Sequence, residues 1–262
     1  RVEVSNNGRE YTQDAARLEL VSVRVVDVQP WVGPQRGATV VSVRGRGGLP
    51  GGLRCRFGES PSVQGWGGGA MRLRCATPSS AVTGWVGVQL SSFHGGLSSG
   101  GSFYYHGELS VSGLTPPLGP ERGGTRVTLL GGVFKDAYTL RCRFGNASSA
   151  VLARYVDESQ LECSTPLHAV GAKAVQLSMN GQQYAETGAS FTYQQAMSVS
   201  SVSPARVLAE GGTPVTVYGA GFSSVSESLG YLQCRIGGVT RRARWASEGA
   251  LVCNSTRGMA GE

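Results

Sequence analysis

Six cysteines, at positions 55, 75, 142, 163, 234 and 253, carry the most specific chemistry that the residue types of this 262-residue chain allow. They form three successive pairs, with members 20, 21 and 19 residues apart. Thiols so spaced could make disulfides, hold a metal or stay reduced in a core. The C-x2-C spacing of a zinc site is absent and only three histidines are present, so metal ligation has few donors to draw on. Six cysteines allow 15 pairings, and spacing alone does not choose among them. The flanking strings do favour one choice. LRCRFG (53–58), LRCRFG (140–145) and LQCRIG (232–237) hold the first members; LRCATP (73–78), LECSTP (161–166) and LVCNST (251–256) hold the second. This repetition makes Cys55–Cys75, Cys142–Cys163 and Cys234–Cys253 the economical pairing. Each bond would close a loop of roughly 20 residues, worth about 3 kcal/mol in the chain-entropy estimate. Disulfides in every repeat imply an oxidising compartment.

Arginine is the second chemically informative residue type. The formal net charge is +7, and 22 of the 24 basic residues are arginine, which suits bidentate contact with carboxylates, sulfates or phosphates. Eight arginines fall in residues 21–107 against Asp27 and Glu59. There Arg44 and Arg46, Arg54 and Arg56, and Arg72 and Arg74 form three Arg-x-Arg pairs, each on one strand face. If Cys55 pairs with Cys75, the last four arginines are expected close together, away from the core. Such a stripe could meet an acidic glycan or protein; the simpler reading is a solvated strand face.

Two sequons, Asn146-Ala147-Ser148 and Asn254-Ser255-Thr256, are candidate N-glycosylation sites. Catalysis finds no support. His94, His106 and His168 occupy different repeat positions, and no G-x-S-x-G, H-E-x-x-H or phosphate-loop string occurs. No catalytic residue, metal site or cofactor is expected. Nucleic acid is not an expected partner, since no stacking-aromatic motif or finger spacing appears. Trp31, Trp66, Trp85 and Trp245 do not recur at one repeat position; an exposed one could be a carbohydrate platform, or more simply a plug between domains.

The elements that must position these groups are short strands. Glycine accounts for 40 residues, about twice its usual share. QRGATVVSVRG (35–45), ERGGTRVTLLG (121–131) and AEGGTPVTVYG (209–219) recur ahead of the cysteine pairs, and their shared Gly37, Gly123 and Gly211 set a period near 87. In Leu53-Arg54-Cys55-Arg56-Phe57 the leucine, cysteine and phenylalanine share one face. No stretch sustains helical spacing, so no substantial helix is expected. VQLSMNGQQYAETGASFTY (175–193) reads as a hairpin turning at Asn180-Gly181. VEVSNNGREYTQDAARLEL (2–20) aligns with it without a gap: Val2 with Val175, Asn7-Gly8 with Asn180-Gly181, Tyr11 with Tyr184, Leu18 and Leu20 with Phe191 and Tyr193. The expected organisation is therefore 1–20, the closing hairpin of an upstream repeat; 21–107, repeat 1; 108–195, repeat 2; and 196–262, repeat 3 without its closing hairpin. That is the pattern of a window within a longer array. No run of eighteen apolar residues exists, so no membrane insertion of this segment is expected.

The strings GGTxVTLxGxxF, CRFGN and CSTP, with the closing hairpin, resemble the IPT/TIG domain. Repeat 2 carries the fullest set: Gly123-Gly124-Thr125, Gly132, Phe134, Cys142, Gly145, Cys163, Thr165-Pro166, Asn180-Gly181, Phe191 and Tyr193. Repeat 1 departs at Ala38, where the second glycine belongs, and repeat 3 departs at Asn254 and at Ser255-Thr256. The cysteine-containing form is similar to that of plexin-like and fibrocystin-like surface proteins. The resemblance implies an all-β fold of tandem immunoglobulin-like sandwiches, used for spacing and protein contact in an ectodomain. The function expected is a non-enzymatic spacer and interaction array of a large extracellular or cell-surface protein, such as one on a ciliary surface. Its partners would be other domains of the same protein and neighbours in an assembly. One alternative is an acidic-glycan surface centred on repeat 1. Another is an intracellular ciliary scaffold with reduced cysteines.

Overall fold

A computed structural model describes residues 2–13, 16–17, 24–46, 52–67, 69, 71–92, 95–146 and 150–258. The chain divides into two compact units. One comprises Arg1–Glu108 with Met179–Gln183, the other Leu109–Ser178 with Tyr184–Glu262.

The first unit holds β1 (Arg24–Gln29), β2 (Val32–Pro34), β3 (Val40–Arg46), β4 (Arg54–Phe57), β5 (Val63–Gln64), β6 (Arg72–Ala76), β7 (Gly84–Ser92) and β8 (Gly95–His106). They form two sheets, β1-β3-β6 and β2-β8-β7-β4-β5. Strict alternation drives the packing. In β3, Val41 and Val43 are fully buried while Arg44 and Arg46 are exposed. Val41, Val43 and Leu73 of one sheet meet Phe57, Val88, Leu90, Phe103 and Tyr105 of the other in a single core. Phe103 lies edge-on to both Phe57 and Tyr105. β2 runs parallel to β8, pairing Val32 with Tyr104, so the two ends of the repeat are stitched together.

The second unit repeats the plan. β9 (Val111–Thr115), β11 (Arg126–Gly131) and β14 (Gln160–Ser164) make one layer. β10 (Leu118–Pro120), β12 (Arg141–Phe144), β15 (Gly171–Ser178) and β16 (Ala185–Gln194) make the other. β13 (Ala150–Asp157) joins the layers: its first residues pair with β12 and its later ones with β14. Val127, Leu129, Phe134, Phe144, Leu161, Val175, Phe191 and Tyr193 are buried between them. Burial pushes the Tyr105 and Tyr193 hydroxyls up to about 12. Tyr105 donates to the Pro78 carbonyl at 2.9 Å.

The same unit contains a third set of elements: β17 (Ser198–Ser203), β18 (Pro214–Ala220), α1 (Ser224–Ser228), β19 (Gln233–Ile236), β20 (Val239–Arg242), β21 (Arg244–Ser247) and β22 (Ala250–Asn254). One layer is complete, in the order β17-β18-β22-β21. The other consists of β19 and β20 alone among the described residues. The one-turn helix α1 is capped by Ser223, whose hydroxyl accepts from the Ser226 amide. It is the sole helix among the described residues, and nothing in the sequence periodicity pointed to it.

Candidate protein-contact and anion-binding surfaces

The structure joins Cys55 to Cys75, Cys142 to Cys163 and Cys234 to Cys253, with Cα atoms 6.3, 6.4 and 6.2 Å apart. In repeat 1 the bond runs from β4 in one sheet to β6 in the other, so it ties the two layers through the core. The same holds for β12 and β14, and for β19 and β22.

An inter-sheet bond has a consequence for the arginines. Residues flanking Cys55 and Cys75 alternate outward from opposite sheets, so they cannot share one face. The structure brings Arg44, Arg46, Arg72 and Arg74 together on the outer face of β1-β3-β6, where all four are exposed. Arg44 stands directly opposite Arg72, and Arg24 opposite Arg46. Like charges so placed repel. Asp27 is opposite Arg44. Arg54 and Arg56 lie half-buried on the other sheet, each already partnered: Arg54 donates to the Ser62 carbonyl at 2.9 Å and Arg56 pairs with Glu59 at 2.8 Å. The closely grouped Arg54, Arg56, Arg72 and Arg74 expected from the sequence are therefore split between two faces.

The sheet that carries Arg54 and Arg56 also bears an aromatic cluster. Trp31 stacks on Trp85 at 5.2 Å between ring centroids, and Tyr104 meets Trp85 edge-on at 5.3 Å. Trp85 remains 60% exposed. Sequence reasoning missed this cluster because the parallel β2–β8 pairing that brings Trp31 to Tyr104 spans the whole repeat.

Asn146 is exposed in the turn after β12; its Ser148 lies outside the described residues. Asn254 is exposed at the end of β22, and Thr256 of its sequon donates to the Ile236 carbonyl at 3.1 Å. His106 is buried at 7% exposure, and burial lowers its basicity. His168 packs on Tyr193. The side chain of His94, with Leu18 and Leu20, lies outside the described residues. No group of His, Cys, Asp or Glu suited to a metal occurs among the described residues. Among them, too, no helix is long and apolar enough to cross a membrane.

Two clusters of side-chain amides stand where one element meets the next. Inside the first unit, the Gln182 amide group mimics a strand neighbour, accepting from the Val40 amide and donating to the Val40 carbonyl, both at 2.8 Å. Gln183 donates to the Ala38 carbonyl at 2.8 Å, and Asn180 to the Thr39 hydroxyl at 3.0 Å. Inside the second unit, Gln194 at the end of β16 donates to Ser223 and accepts from the buried Ser226, both at 2.9 Å. The Glu121 carboxylate accepts from the Ala196 amide at 3.3 Å.

Two-layer sandwiches in tandem, each with one disulfide between its sheets, define an immunoglobulin-like class of β proteins. The model of the IPT/TIG domain matches residues 109–193 and 197–262, more than half of the sequence, and the chain belongs to that family. Human Plexin-A3 is 24% identical over 250 residues, which are 88% of this chain and 13% of that protein. The solved extracellular region of plexin A4 superposes on 99% of this chain and 23% of its own with a TM-score of 0.57 at 17% identity, a likeness of fold. The chain thus spans a small part of the length of the relatives it matches.

Proposed function

We propose that this segment is a non-catalytic spacer and protein-contact array within a large extracellular or cell-surface protein. The lock between the second and third sets of strands carries this reading. A flexible string of domains needs a free, polar linker between its members. Here the connection after β16 is held on both sides: Gln194 bonds Ser223 and Ser226, and Ala196 bonds Glu121. The disulfides, and the exposed Asn146 and Asn254 as glycan acceptors, suit an oxidising compartment. The partners in this reading are neighbouring domains and proteins of the surrounding assembly.

Backbone relaxation measured by NMR on the whole chain tests the reading. Residues 109–178 and 198–258 should share one rotational correlation time. Gln194→Ala with Ser226→Ala removes two hydrogen bonds, worth about 2 kcal/mol together, and should give each set its own. Separate correlation times in the unmutated chain would remove the basis for a spacer.

A second reading, an acidic-glycan surface on repeat 1, is favoured by the outer face of β1-β3-β6. The opposed Arg24–Arg46 and Arg44–Arg72 pairs form a field that an anionic polymer would relieve. Replacing Arg44, Arg72 and Arg74 with serine should bring elution from a heparin resin to markedly lower salt. Replacing the already partnered Arg54 and Arg56 should change it little. Equal effects from both sets would reduce the retention to bulk charge.

A further inference from the structure

The outer face of β2-β8-β7-β4-β5 in repeat 1 differs from its counterpart in repeat 2 at places where the fold makes no demand. The two sheets share one register. Tyr104 pairs with Val32 and Trp85, as Thr192 pairs with Leu118 and Ala172. Trp85 therefore takes the place of Ala172, and Tyr104 that of Thr192. Repeat 2 closes the same sandwich without either ring, so the aromatic cluster is no requirement of the core. Trp85 keeps 60% of its surface exposed, held by the Trp31 stack and the contact with Tyr104. Neither indole N–H of the stacked pair is hydrogen-bonded among the described residues, whereas that of Trp245 donates to the Phe222 carbonyl at 3.3 Å.

The strip beyond the indole is open in the same way. Gly87 and Gln89 follow Trp85 on the outward side of β7, because Val88 and Leu90 are buried in the core. A Cβ on Gly87 would meet nothing within 4 Å, and the residue has no positive φ, so neither packing nor backbone asks for glycine there. Repeat 2 has Ala174 at this place. The missing side chain leaves a bare floor between the ring and Gln89, in a strip about 13 Å long. Gln89 is the second contrast. Its counterpart Gln176 is already engaged: it accepts from Arg143 at 3.2 Å and donates to Glu186, while the Arg143 guanidinium lies 3.4 Å over the Tyr184 ring. Gln89 makes no side-chain hydrogen bond among the described residues, and the Arg56 opposite it pairs with Glu59 instead.

We propose that this strip binds a neutral, β-linked oligosaccharide of equatorial pyranoses, such as a glucan, xylan or N-acetylglucosamine chain. Such a chain is a flat ribbon, with C–H groups on its two faces and hydroxyls along its edges. One sugar lays its C–H face on the exposed part of the Trp85 ring, a large surface that Trp31 and Tyr104 keep rigid. The next crosses Gly87, where a side chain would lift it from the sheet. Its hydroxyls meet the Gln89 amide, which offers both donor and acceptor, and the exposed Glu59 carboxylate beside Arg56. Arg56 and Glu59 cancel each other's charge, which suits an uncharged ribbon. The site is thereby distinct from the arginine face of β1-β3-β6, whose unrelieved field favours an anion.

Nitrogen-edited NMR of the whole chain, titrated with cellotetraose, xylotetraose and chitotetraose to about 20 mM, tests the site. At least one sugar should move the Trp31 and Trp85 indole signals and the Gln89 side-chain amide saturably, and leave Trp66 and Trp245 in place. Trp85→Ala installs the residue that repeat 2 carries, so the fold is kept, and it should abolish the shifts at Trp31 and Gln89. Gly87→Val fills the open floor at a strand position that accepts a β-branched residue, and should weaken binding about tenfold or more. Arg44→Ser with Arg72→Ser should leave binding unchanged. Circular dichroism of each variant keeps loss of fold distinct from loss of binding. No saturable shift with any of the three sugars overturns the proposal, and a proline-rich peptide that moves the same signals would then assign the strip to a protein partner. Binding that survives Trp85→Ala or Gly87→Val at full strength overturns it as well.

Discussion

Changing Cys142 and Cys163 together to alanine should destabilise the second repeat by more than the same change at Cys234 and Cys253 destabilises the third. The three loops differ by no more than two residues, 20, 21 and 19, so their chain-entropy terms are alike at about 3 kcal/mol. Packing makes the difference. Cys142 and Cys163 are 0% and 2% exposed, enclosed between layers that also bury Phe144 and Leu161. Trimming two sulfurs there opens a void whose cost adds to the loop term, bringing the total to roughly 4–5 kcal/mol. Cys253 is enclosed at 1% exposure, but Cys234 lines an apolar groove of the third repeat and is only partly buried, so solvent takes up part of the vacated space and less is lost beyond the loop term. Cys55–Cys75, with both sulfurs at 0% exposure, should behave as the second repeat does. A chain of several domains does not unfold as one two-state unit, so a single melting curve would blur the repeats. Hydrogen exchange read by mass spectrometry resolves each one. Protection of β12 and β14 should fall furthest, and equal losses in all three repeats would mean that enclosure contributes nothing beyond loop closure.

The residues that were easiest to read were those governed by local alternation. Leu53, Cys55 and Phe57 face the core, as the period of two requires, and Asn180-Gly181 turns a hairpin. The repeat phase gave the class of fold because it depends on spacing along the chain and on nothing remote. The arginines mark where that logic stops. Alternation tells which side of a strand a residue takes but not which sheet the strand joins. Arg54 and Arg72 thus looked like neighbours and stand on opposite layers. The Trp31–Trp85–Tyr104 cluster failed to appear for a related reason: it is assembled by a parallel pairing between the second and last strands of a repeat, which leaves no short-range trace. The amide locks of Gln182 and Gln194 were equally silent, since glutamine has no preferred spacing by which a contact could be recognised. Most of the fold was legible, and most of its contact surfaces were not.

The turn before β11 separates two glycines that look interchangeable in the sequence. Gly123 and Gly124 both have positive φ, at 73° and 80°. A Cβ on Gly123 would lie 2.5 Å from the Pro166 carbonyl carbon and 2.6 Å from the Thr165 carbonyl oxygen, whereas one on Gly124 meets nothing within 4 Å. Backbone atoms of the strand-end Thr165-Pro166 segment cannot step aside, because the Thr165 carbonyl accepts from the Gly124 amide and the Thr165 amide donates to the Thr125 carbonyl. Gly123→Ala should therefore add a clash to the left-handed strain and cost about 3 kcal/mol or more, while Gly124→Ala should cost about 1 kcal/mol from strain alone. Repeat 1 already contains the milder change. Ala38 occupies the Gly124 position, exposed, with φ 63°, and its amide still donates to the Thr77 carbonyl at 2.8 Å. Ala38→Gly should then stabilise repeat 1 by about 1 kcal/mol, a change in the direction opposite to most glycine introductions. With Trp245 replaced by phenylalanine, denaturant midpoints followed by the fluorescence of Trp31, Trp66 and Trp85 report repeat 1, and hydrogen exchange reports repeat 2. If Ala38→Gly lowers the midpoint, or if the two glycines of repeat 2 respond equally to alanine, then backbone proximity at Pro166 is not what holds Gly123 in place.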